Sequence, residues 1–482
     1  MSKDYTTIFK AYDIRSLYNE PMDTTCSYSL WYVLWKYLIE KRWADQPLLV
    51  ASDWREWNED LLMSFLAWFY DAWGKNWHTS NTLVQSLWAQ KHDFWVCSTA
   101  FFYWCVYQQY ELWVIFTASH NPPWRVWMKI VDKSAALLPT ELLQWLIDEY
   151  IPCPYDKKHM FMQDLRKKIY TALDKPHEKI MKKRITYVSL VSNMLPEKNY
   201  KLVVDYSWGT ATGYEYAFFQ LLQQQGWEII HLNEKTDRYF SAHLSDTNQP
   251  INYQQLAQAV QEHHADCGIM FDGDGDRLWV VDQYGNMIQW DMLIPIIAQS
   301  ILAQQPWSPI IYDITCSNNV LTAIKKAWWT ATYSKVWYKN VKQEMLEHGA
   351  VFGGELSGHL LFPETWYAES PLLALCHFLQ TLDQFPDCAA MVQRYTHWHK
   401  LPVMNYAVDD KASLLHTIQI TYQDYTQNLL DWVRVDAEEW WFLIRPSNTE
   451  PKVRLYIEAT TQEQCAFLLQ ELEAIIGSSS IG

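Results

Sequence analysis

The sequence predicts an α/β protein of several domains that ends in a separate α+β module. Its 482 residues exceed what one hydrophobic core usually holds, which indicates three or four domains. Apolar residues make up 49% of the chain and charged residues 20%, as in folded globular proteins. Short apolar runs alternate with polar loops and longer amphipathic segments, which is the pattern of strands followed by helices.

Five apolar runs in the first two thirds of the chain are predicted strands, and each leads into a polar loop. These runs cover residues 48–51, 112–116, 201–205, 267–271 and 310–314. A helix is expected after the first run at 60–73, and another after the third at 214–225. In sheets of this kind ligands bind beyond the carboxyl ends of the strands, so we expect functional residues in the polar loops.

The last part of the chain has a different pattern. Strands are predicted at 432–435, 441–445 and 452–457, followed by a helix over 462–476. We expect Thr461 to cap the start of this helix and Gly477 to lie just past its end. We place the domain boundaries near residues 155, 288 and 397. The predicted domains are therefore residues 1–155, 156–287, 288–396 and 397–482.

Composition argues against several classes of function. The net charge of -16 disfavours a non-specific nucleic-acid binder, which needs a positive surface. No run of apolar residues is long enough for a membrane helix, and the N-terminal residues lack the apolar core of a secretory signal. The nine cysteines are scattered without a Cys-x-x-Cys pair, which predicts buried thiols in a reducing cytoplasm.

The segment FTASHNPP places Ser119 on a loop directly after a predicted strand. A serine hydroxyl acts as a nucleophile when a base removes its proton. When the serine carries a phosphate, it acts as a phosphoryl donor. Taken alone, the segment is equally compatible with an ordinary turn before a proline-fixed bend. It lacks the Gly-x-Ser-x-Gly pattern of hydrolases, so an acyl-transfer triad has little support.

The segment GIMFDGDGDRLWVVD places Asp272, Asp274 and Asp276 on a glycine-rich loop after a strand. Carboxylates at this spacing converge on a hard cation, whereas a polar turn without a cation would leave them repelling one another. The loop lacks the glutamate of an EF-hand, and three carboxylates beside a phosphate favour Mg²⁺ over Ca²⁺. Arg277 follows the loop and is suited to a substrate phosphate or hydroxyl.

Two further segments carry polar residues with a weaker signal. GGELSGH alternates Glu355, Ser357 and His359 on a glycine-flanked turn, which suits vicinal sugar hydroxyls but equally an ordinary loop with a surface histidine. FKAYDIR supplies Tyr12 and Arg15. Taken alone, that segment is typical of any N-terminal stretch.

The segment RPSNTEP groups hydrogen-bond donors suited to a phosphate. Arg445 is followed by Ser447, Asn448 and Thr449, which together form a compact nest of donors. The three small polar residues are also common in turns after a strand. The preceding arginine favours anion binding.

Together and in this order, the five segments resemble the α-D-phosphohexomutase superfamily, and within it the phosphomannomutase/phosphoglucomutase group. The resemblance spans the chain from Phe9 to Ala459. It implies three related α/β domains with mixed sheets and a smaller C-terminal α+β domain, arranged around a central cleft. FKAYDIR and GELSGH favour this group over glucosamine-phosphate mutases, which typically have FGTDGIRG and GEQSGH.

The resemblance also implies a role for each matching residue. Ser119 is expected to be phosphorylated, and one of its phosphate oxygens to join Asp272, Asp274 and Asp276 around one Mg²⁺. Catalytic roles near the transferring phosphate are implied for Arg15, His120, Lys129 and His359. Substrate contacts are implied for Tyr12, Arg277, Glu355, Ser357, Arg445, Ser447, Asn448 and Thr449.

The implied activity is the reversible interconversion of hexose 1- and 6-phosphates through the phosphoserine and a bisphosphate intermediate. Hexose 1,6-bisphosphate is the expected activator and sugar phosphates are the expected partners, with no nucleic acid or membrane. A cytoplasmic monomer or homodimer is expected. The alternatives are a phosphoglucosamine mutase and a non-catalytic sugar-phosphate-binding relative. The latter stays open because Thr315 and Trp337 depart from the family pattern in the third domain.

Tryptophan is unusually frequent and glycine unusually rare. The chain has 28 Trp and 14 Gly, whereas an average usage of about 7% would give roughly 34 glycines. Tryptophan stands where the family has glycine at five clear positions: Trp127, Trp279, Trp290, Trp337 and Trp432. We interpret this as UGA codons that the source organism reads as glycine. The alternative is a tryptophan-rich chain whose rings pack in the core.

Overall fold

The computed structural model describes residues 5–9, 14–40, 48–55, 57–58, 60–64, 84–86, 97–106, 112–132, 140–150, 178–246, 249–327, 329–446 and 452–479. The chain forms two compact units. Unit 1 comprises residues 1–287 and 362–379, and unit 2 comprises residues 288–361 and 380–482.

The first sheet of unit 1 is mixed. Its strands are β1 (Ile14–Tyr18), β2 (Pro21–Met22), β3 (Leu48–Ser52), β4 (Val84–Ser86), β5 (Leu112–Thr117) and β6 (Arg125–Asp132), in the order β2-β1-β6-β5-β3-β4. Strand β3 runs parallel to β4 and β5, whereas β6 runs antiparallel to both β5 and β1. Because β3 and β5 are parallel neighbours, the loops that follow them begin at the same edge of the sheet.

The second sheet of unit 1 is also mixed. Its strands are β7 (Lys201–Asp205), β8 (Glu228–Leu232), β9 (Cys267–Phe271), β10 (Leu278–Asp282) and β11 (Met287–Ile288), in the order β11-β10-β9-β7-β8. Strand β7 is parallel to β8 and β9, and β10 is antiparallel to β9. Every residue of β9 and β10 is buried, which explains why both read as unbroken apolar runs.

Unit 2 holds a mixed sheet and an antiparallel sheet. The mixed sheet contains β12 (Pro309–Asp313), β13 (Thr330–Ser334), β14 (Phe352–Gly354) and β15 (Leu360–Phe362), in the order β13-β12-β14-β15. Strand β12 is parallel to both of its neighbours, and β15 is antiparallel to β14. A further strand of two residues, β16 (Ala368–Glu369), follows in the segment that belongs to unit 1.

The antiparallel sheet of unit 2 forms the C-terminal module. Its strands are β17 (His399–Lys400), β18 (Met404–Ala407), β19 (Thr426–Asn428), β20 (Val433–Asp436), β21 (Trp440–Pro446) and β22 (Lys452–Ala459). Their order is β17-β22-β21-β20-β19, and β18 also pairs with β22. Three mixed α/β sheets and this antiparallel sheet confirm the predicted fold class.

The described helices connect and cover these sheets. They are α1 (Thr24–Glu40), α2 (Thr99–Val106), α3 (Thr140–Glu149), α4 (Glu178–Ser192), α5 (Tyr214–Gln224), α6 (Pro250–His263), α7 (Trp290–Gln304), α8 (Asn318–Ala327), α9 (Tyr338–His348), α10 (Pro371–Leu382), α11 (Cys388–Tyr395), α12 (Lys411–Thr421) and α13 (Gln462–Ser479). None of these helices is both long enough and apolar enough to cross a bilayer.

The C-terminal helix confirms one predicted end and corrects the other. Thr461 Oγ1 accepts a hydrogen bond from the Gln464 amide at 3.2 Å, so the predicted N-cap is confirmed. The prediction that Gly477 lies beyond the helix is wrong, because α13 continues to Ser479. A side chain at Gly477 would meet nothing within 4 Å, so the residue is in open space. A glycine there costs helix propensity without disturbing any packing.

The segment 362–379 completes unit 1 from far along the chain. Ser370 Oγ lies 3.0 Å from Tyr187 Oη of α4, and Cys376 Sγ contacts the carbonyl of Val191 at 3.5 Å. The hydroxyl of Tyr200 contacts the Leu379 carbonyl at 3.4 Å. The first nine residues of α10 are therefore packed as part of unit 1.

Left-handed backbone is unusually common at tryptophan. Among the described residues, five tryptophans have a positive φ: Trp208, Trp307, Trp337, Trp366 and Trp432. Bulky residues rarely adopt this conformation, which costs about 1–2 kcal/mol per residue outside glycine. The backbone therefore favours glycine at Trp337 and Trp432, as the codon hypothesis requires. It gives no such support at Trp127, Trp279 or Trp290, none of which has a positive φ.

Replacing Trp307 by glycine is expected to stabilise the protein. Trp307 has a φ of 68° and is 72% exposed, so its ring contributes little burial. Relief of the left-handed strain outweighs the greater freedom of glycine in the unfolded chain, with a net gain of about 1 kcal/mol. Urea unfolding measures the change. Trp124→Gly is the control, because Trp124 is 56% exposed without a positive φ, and it should show no gain. A lower stability of Trp307→Gly contradicts the expectation.

Candidate active site

The serine singled out in the sequence lies at the end of β5 with its backbone in the left-handed region. Ser119 has a φ of 50° and is only 2% exposed. Its amide donates to Thr117 Oγ1 at 3.0 Å, and its hydroxyl donates to Asp272 Oδ2 at 2.7 Å. Non-glycine residues in strained conformations of this kind cluster at functional sites. The turn after β5 therefore directs the hydroxyl at the acidic loop of the second sheet.

The acidic loop joins β9 to β10 and brings its three carboxylates together. Asp272, Asp274 and Asp276 are each at most 1% exposed, and one oxygen of each lies within 4.8 Å of the others. Gly275 has a φ of 66°, a conformation that lets the loop turn tightly. A Cβ at Gly273 would lie 2.6 Å from the Ser119 carbonyl oxygen, so the two loops touch at their backbones.

A buried arginine and a largely buried lysine partly balance the three carboxylates. Lys129 on β6 places Nζ 3.3 Å from both Asp274 Oδ2 and Asp276 Oδ2. Arg277 donates from Nε to Asp272 Oδ2 at 3.0 Å. The five side chains carry one net negative charge when all are ionised. Since isolated charge is costly to bury, the cluster is suited to receive a further cation.

The electrostatic environment differs between neighbouring carboxyls. Burial, reinforced by the adjacent Asp276 carboxylate, raises the pKa of Asp272 to about 8. Burial also acts to raise the pKa of Asp274, but the Lys129 ammonium and a hydrogen bond from Thr99 outweigh it and lower that pKa. The cluster thus holds one firmly ionised carboxylate beside one whose charge is unfavourable. A bound cation relieves this second charge.

The donor set of the acidic loop fits a hard divalent cation. Asp274 Oδ2 accepts from Thr99 Oγ1 at 2.8 Å, while Asp274 Oδ1 is buried without a hydrogen-bond partner among the described residues. A buried carboxylate oxygen in that state is costly unless it binds something. Carboxylate oxygens are the ligands that such cations prefer.

A guanidinium contacts the serine hydroxyl, and an indole ring packs against the neighbouring histidine. The Arg277 guanidinium contacts both Ser119 Oγ and His120 Nδ1. Arg15 on β1 stacks over the Trp127 ring at 3.9 Å, and the His120 ring meets that indole edge-on at 6.5 Å. His120 and Arg277 therefore lie at Ser119, and Arg15 is connected to His120 through the Trp127 ring.

The predicted sugar-binding loop lies in unit 2 between β14 and β15. Glu355 is 2% exposed, and its Oε1 accepts from the backbone amide of Trp337 at 2.8 Å. Ser357 Oγ lies 3.3 Å from Glu355 Oε2, and the Glu355 amide donates to the His359 carbonyl at 3.0 Å. The three predicted residues thus form one hydrogen-bonded turn. The His359 ring lies 6.3 Å from that of Tyr338.

The predicted phosphate-binding arginine lies close to this turn within unit 2. Arg445 Nε donates to Asp431 Oδ2 at 3.1 Å, and the same carboxylate oxygen accepts from the Val336 amide at 3.1 Å. Val336 precedes Trp337, whose amide binds Glu355, so a single backbone link joins the two predicted groups. The predicted residues Tyr12, Ser447, Asn448 and Thr449 lie outside the described residues.

Comparison with known proteins agrees with this arrangement. Four family models match along the chain. They are described as phosphoglucomutase/phosphomannomutase alpha/beta/alpha domain I (residues 6–151), alpha/beta/alpha domain II (182–285), alpha/beta/alpha domain III (289–397) and the C-terminal domain (404–475). A phosphomannomutase of Methanocaldococcus jannaschii is 30% identical over 474 residues, which are 97% of each chain.

The chain belongs to the phosphoglucomutase/phosphomannomutase family.

Other members of the family show a similar relationship. A phosphomannomutase/phosphoglucomutase of Pseudomonas syringae is 33% identical over 251 residues, which are 51% of this chain and 54% of that protein. A solved phosphoglucomutase/phosphomannomutase family protein from Burkholderia thailandensis superposes with a TM-score of 0.80 at 23% identity. That match covers 100% of this chain and 99% of the other, so the fold is shared along its whole length.

Sequence reasoning missed a set of buried residues behind the serine of this phosphoglucomutase/phosphomannomutase family member. Asp53 and Arg55 follow β3 and are 1% and 2% exposed, and Thr117 is the last residue of β5. Arg55 Nη2 donates to the Ser119 carbonyl at 2.5 Å. A charged pair directly after an apolar strand was the available signal. Its significance depends on β3 and β5 being adjacent, which composition and spacing do not reveal.

The close approach of the two loops predicts a strong effect of Gly273→Ala. Its Cβ would meet the Ser119 carbonyl oxygen at 2.6 Å, and a backbone oxygen held by Arg55 has little room to move. We expect the free energy of unfolding to fall by about 1–3 kcal/mol, as for other overpacked sites. Denaturant unfolding measures this. The control Gly477→Ala enters open space within α13 and should gain up to about 1 kcal/mol. Equal effects of the two variants would contradict the packing account.

Proposed function

We propose that this protein is a phosphomannomutase/phosphoglucomutase, which interconverts hexose 1-phosphate and hexose 6-phosphate through a phosphorylated Ser119. The observation that carries this proposal is the 2.7 Å hydrogen bond from the Ser119 hydroxyl to Asp272 within the buried acidic cluster. A nucleophile beside carboxylates and two cations suits phosphoryl transfer, which depends on positioning and electrostatics more than on covalent chemistry. The names of the related proteins support the same activity.

The reaction consists of two phosphoryl transfers in opposite directions. In the first, the bond between phosphorus and Ser119 Oγ breaks while phosphorus bonds to the free hydroxyl oxygen of the sugar, whose proton passes to a nearby base. The resulting hexose bisphosphate reverses its orientation. Its other phosphate then returns to Ser119 Oγ, and the released sugar oxygen regains a proton. Bisphosphate that escapes rephosphorylates idle enzyme, which accounts for the expected activation by hexose 1,6-bisphosphate.

The residues around Ser119 divide this chemistry among them. The Arg277 guanidinium contacts Ser119 Oγ and so stabilises the charge that develops on that oxygen when the phosphate leaves. His120, whose ring nitrogen lies 3.3 Å from the same oxygen, is the proposed acid and base. Arg15 and Lys129 supply positive charge around the transferring group, and His359 is a second proposed proton carrier.

A single Mg²⁺ is the proposed cofactor. Asp272, Asp274 and Asp276 would hold it together with a phosphate oxygen on Ser119. When bound, the cation neutralises negative charge on the transferring phosphate. Lys129 and Arg277 keep the carboxylates in place with contacts of 3.3 Å and 3.0 Å.

Unit 2 supplies the proposed sugar-binding residues. Glu355 and Ser357 lie on one turn and are suited to neighbouring sugar hydroxyls. Arg445, which Asp431 orients, begins the proposed site for the phosphate that does not react. The remaining proposed substrate contacts are Tyr12, Ser447, Asn448 and Thr449.

The proposed organisation is four domains, at residues 1–155, 156–287, 288–396 and 397–482. Three of the four family-model matches fall inside these limits, and the match to domain III, residues 289–397, ends one residue beyond its limit. We also propose that the enzyme acts in the cytoplasm on small sugar phosphates, as a monomer or homodimer. Eight of its cysteines are described as buried free thiols, which is typical of a reducing compartment.

Magnesium is expected to stabilise the wild-type protein through the acidic loop. At 100 times its dissociation constant, a ligand that binds the folded state contributes about 2.7 kcal/mol, which appears as a higher Tm. Asp274→Asn should abolish this shift because it removes a carboxylate with a free buried oxygen. Calorimetry with and without Mg²⁺ measures it. Asp148→Asn, at an exposed helical carboxylate, should keep the full shift. A shift that survives in Asp274→Asn would place the cation elsewhere.

Ser119→Ala is expected to abolish turnover of glucose 1-phosphate and mannose 1-phosphate. With Mg²⁺ and a trace of hexose bisphosphate, the rate should fall at least about 1,000-fold, because no other group can accept the phosphate. Coupled assays of 6-phosphate formation measure the rate, and mass spectrometry measures phosphate on the peptide that carries Ser119. Ser241→Ala, at an exposed serine of the same unit, is the matched control.

Three outcomes would overturn or redirect the assignment. Retained turnover in Ser119→Ala excludes the phosphoserine mechanism. Faster turnover of glucosamine 1-phosphate than of either hexose 1-phosphate identifies a phosphoglucosamine mutase instead. Binding of sugar phosphates without turnover of any of them identifies a non-catalytic relative.

A further inference from the structure

Arg55 is a buried guanidinium whose donors are committed to the loop that carries Ser119. Nη1 donates to the carbonyls of Asn121 and Pro122 at 2.7 and 2.6 Å, and Nη2 donates to the carbonyl of Ser119 at 2.5 Å. Nε binds Asp53 Oδ2 at 2.9 Å. With its side chain fully buried, Arg55 is placed to hold the chain that follows the nucleophile.

Asp53 holds the other side of the same loop. Its Oδ2 accepts from the Ala118 amide at 3.1 Å and from Thr117 Oγ1 at 2.8 Å. Its Oδ1 accepts from Asn58 Nδ2 at 2.5 Å, and Asn58 also donates to the Phe116 carbonyl at 3.1 Å. Residues before Ser119 are thus bound by Asp53, and Ser119 and the residues after it by Arg55.

The contacts of Asp53 and Arg55 hold Ser119 in a strained backbone conformation. Ser119 has a φ of 50°, and a non-glycine residue in that region costs roughly 1–3 kcal/mol unless the surroundings hold it there. The left-handed turn directs Oγ to Asp272 at 2.7 Å. The backbone of Gly273 closes the opposite side of the loop, where a Cβ would lie 2.6 Å from the Ser119 carbonyl oxygen.

Asp53 is also linked to the acidic loop through a shared hydroxyl. Thr117 Oγ1 lies 2.8 Å from Asp53 Oδ2 and 2.9 Å from Asp274 Oδ2. A hydroxyl has a single proton to donate, so its two carboxylate neighbours compete for it. Displacement of Asp53 therefore alters the hydrogen bonding of a proposed cation ligand as well as the position of the serine.

We propose that Arg55 is a positioning residue for phosphoryl transfer. It holds the Ser119 backbone in its left-handed turn, so that Oγ faces the acidic loop in both directions of the reaction. This inference rests on the proposed function. Arg55 acts through Ser119 without touching the sugar, because its described donors bind protein carbonyls and Asp53. Its loss should therefore impair the chemical step and leave substrate binding almost unchanged.

The test compares Arg55→Lys and Arg55→Ala with the wild-type enzyme. We expect kcat to fall about 100-fold in Arg55→Lys, because a single ammonium with three donors cannot reproduce the four contacts of the planar Arg55 fork, and small misplacements of a reacting group are costly. KM for glucose 1-phosphate should change less than about twofold, since the residues proposed to bind the sugar are intact. Arg238→Lys, at an exposed arginine of the same unit, should match the wild type in both constants.

Chemical rescue separates positioning from a general loss of structure. In Arg55→Ala the missing group leaves a buried space beside three carbonyls, and added guanidinium ion should restore part of kcat at concentrations that do not unfold the protein. Methylammonium, which has the same charge without the planar fork, should restore less. If Arg55→Ala does not fold, Arg55→Lys decides the question, because it retains the buried charge.

The outcomes distinguish this inference from the function on which it rests. A wild-type enzyme that turns over and forms phosphoserine, combined with an Arg55→Lys variant whose kcat stays within about threefold, overturns the positioning role. Equal losses in kcat and in the folded fraction, measured by circular dichroism, reduce Arg55 to a structural residue. Absence of phosphate on wild-type Ser119 after turnover refutes the proposed function itself.

Discussion

The hydrogen bond between Ser119 Oγ and Asp272 Oδ2 is the contact on which the proposed active site depends. It joins two loops that are 153 positions apart and belong to different sheets of unit 1. The strained turn at Ser119 and the close backbone approach at Gly273 make sense only if these loops must meet. Three buried carboxylates at the meeting point would repel one another, so the neighbouring cations are as necessary as the acids.

Local features of the site were predictable from the sequence, and long-range ones were not. Asp272, Asp274 and Asp276 lie within five residues of one another after a buried strand, so their convergence follows from spacing. Arg55 binds carbonyls 64 to 67 positions away, and its role follows only from β3 and β5 being parallel neighbours. Gly477 shows that a local signal can also mislead. A glycine at this place predicts the end of the helix, but α13 continues to Ser479.

The tryptophans show how backbone geometry adds to a compositional argument. The excess of tryptophan over glycine does not show by itself which tryptophans stand in place of glycine. Comparison with the family pattern singled out five such positions. The dihedral angles support two of these, Trp337 and Trp432, and add Trp208, Trp307 and Trp366. Trp337 matters most for the site, because its amide binds Glu355 and its φ is 114°. Glycine adopts a positive φ without strain, so a glycine at position 337 would hold the sugar-binding turn with less strain.

The contribution of residues 362–379 to unit 1 has a consequence for biosynthesis. Tyr187, Val191 and Tyr200 emerge from the ribosome long before Ser370, Cys376 and Leu379, which they contact in the folded protein. During translation the face of α4 that these partners cover stays open until about 180 further residues have been made. Unit 1 therefore cannot finish folding before residues 288–361 of unit 2 have been synthesised.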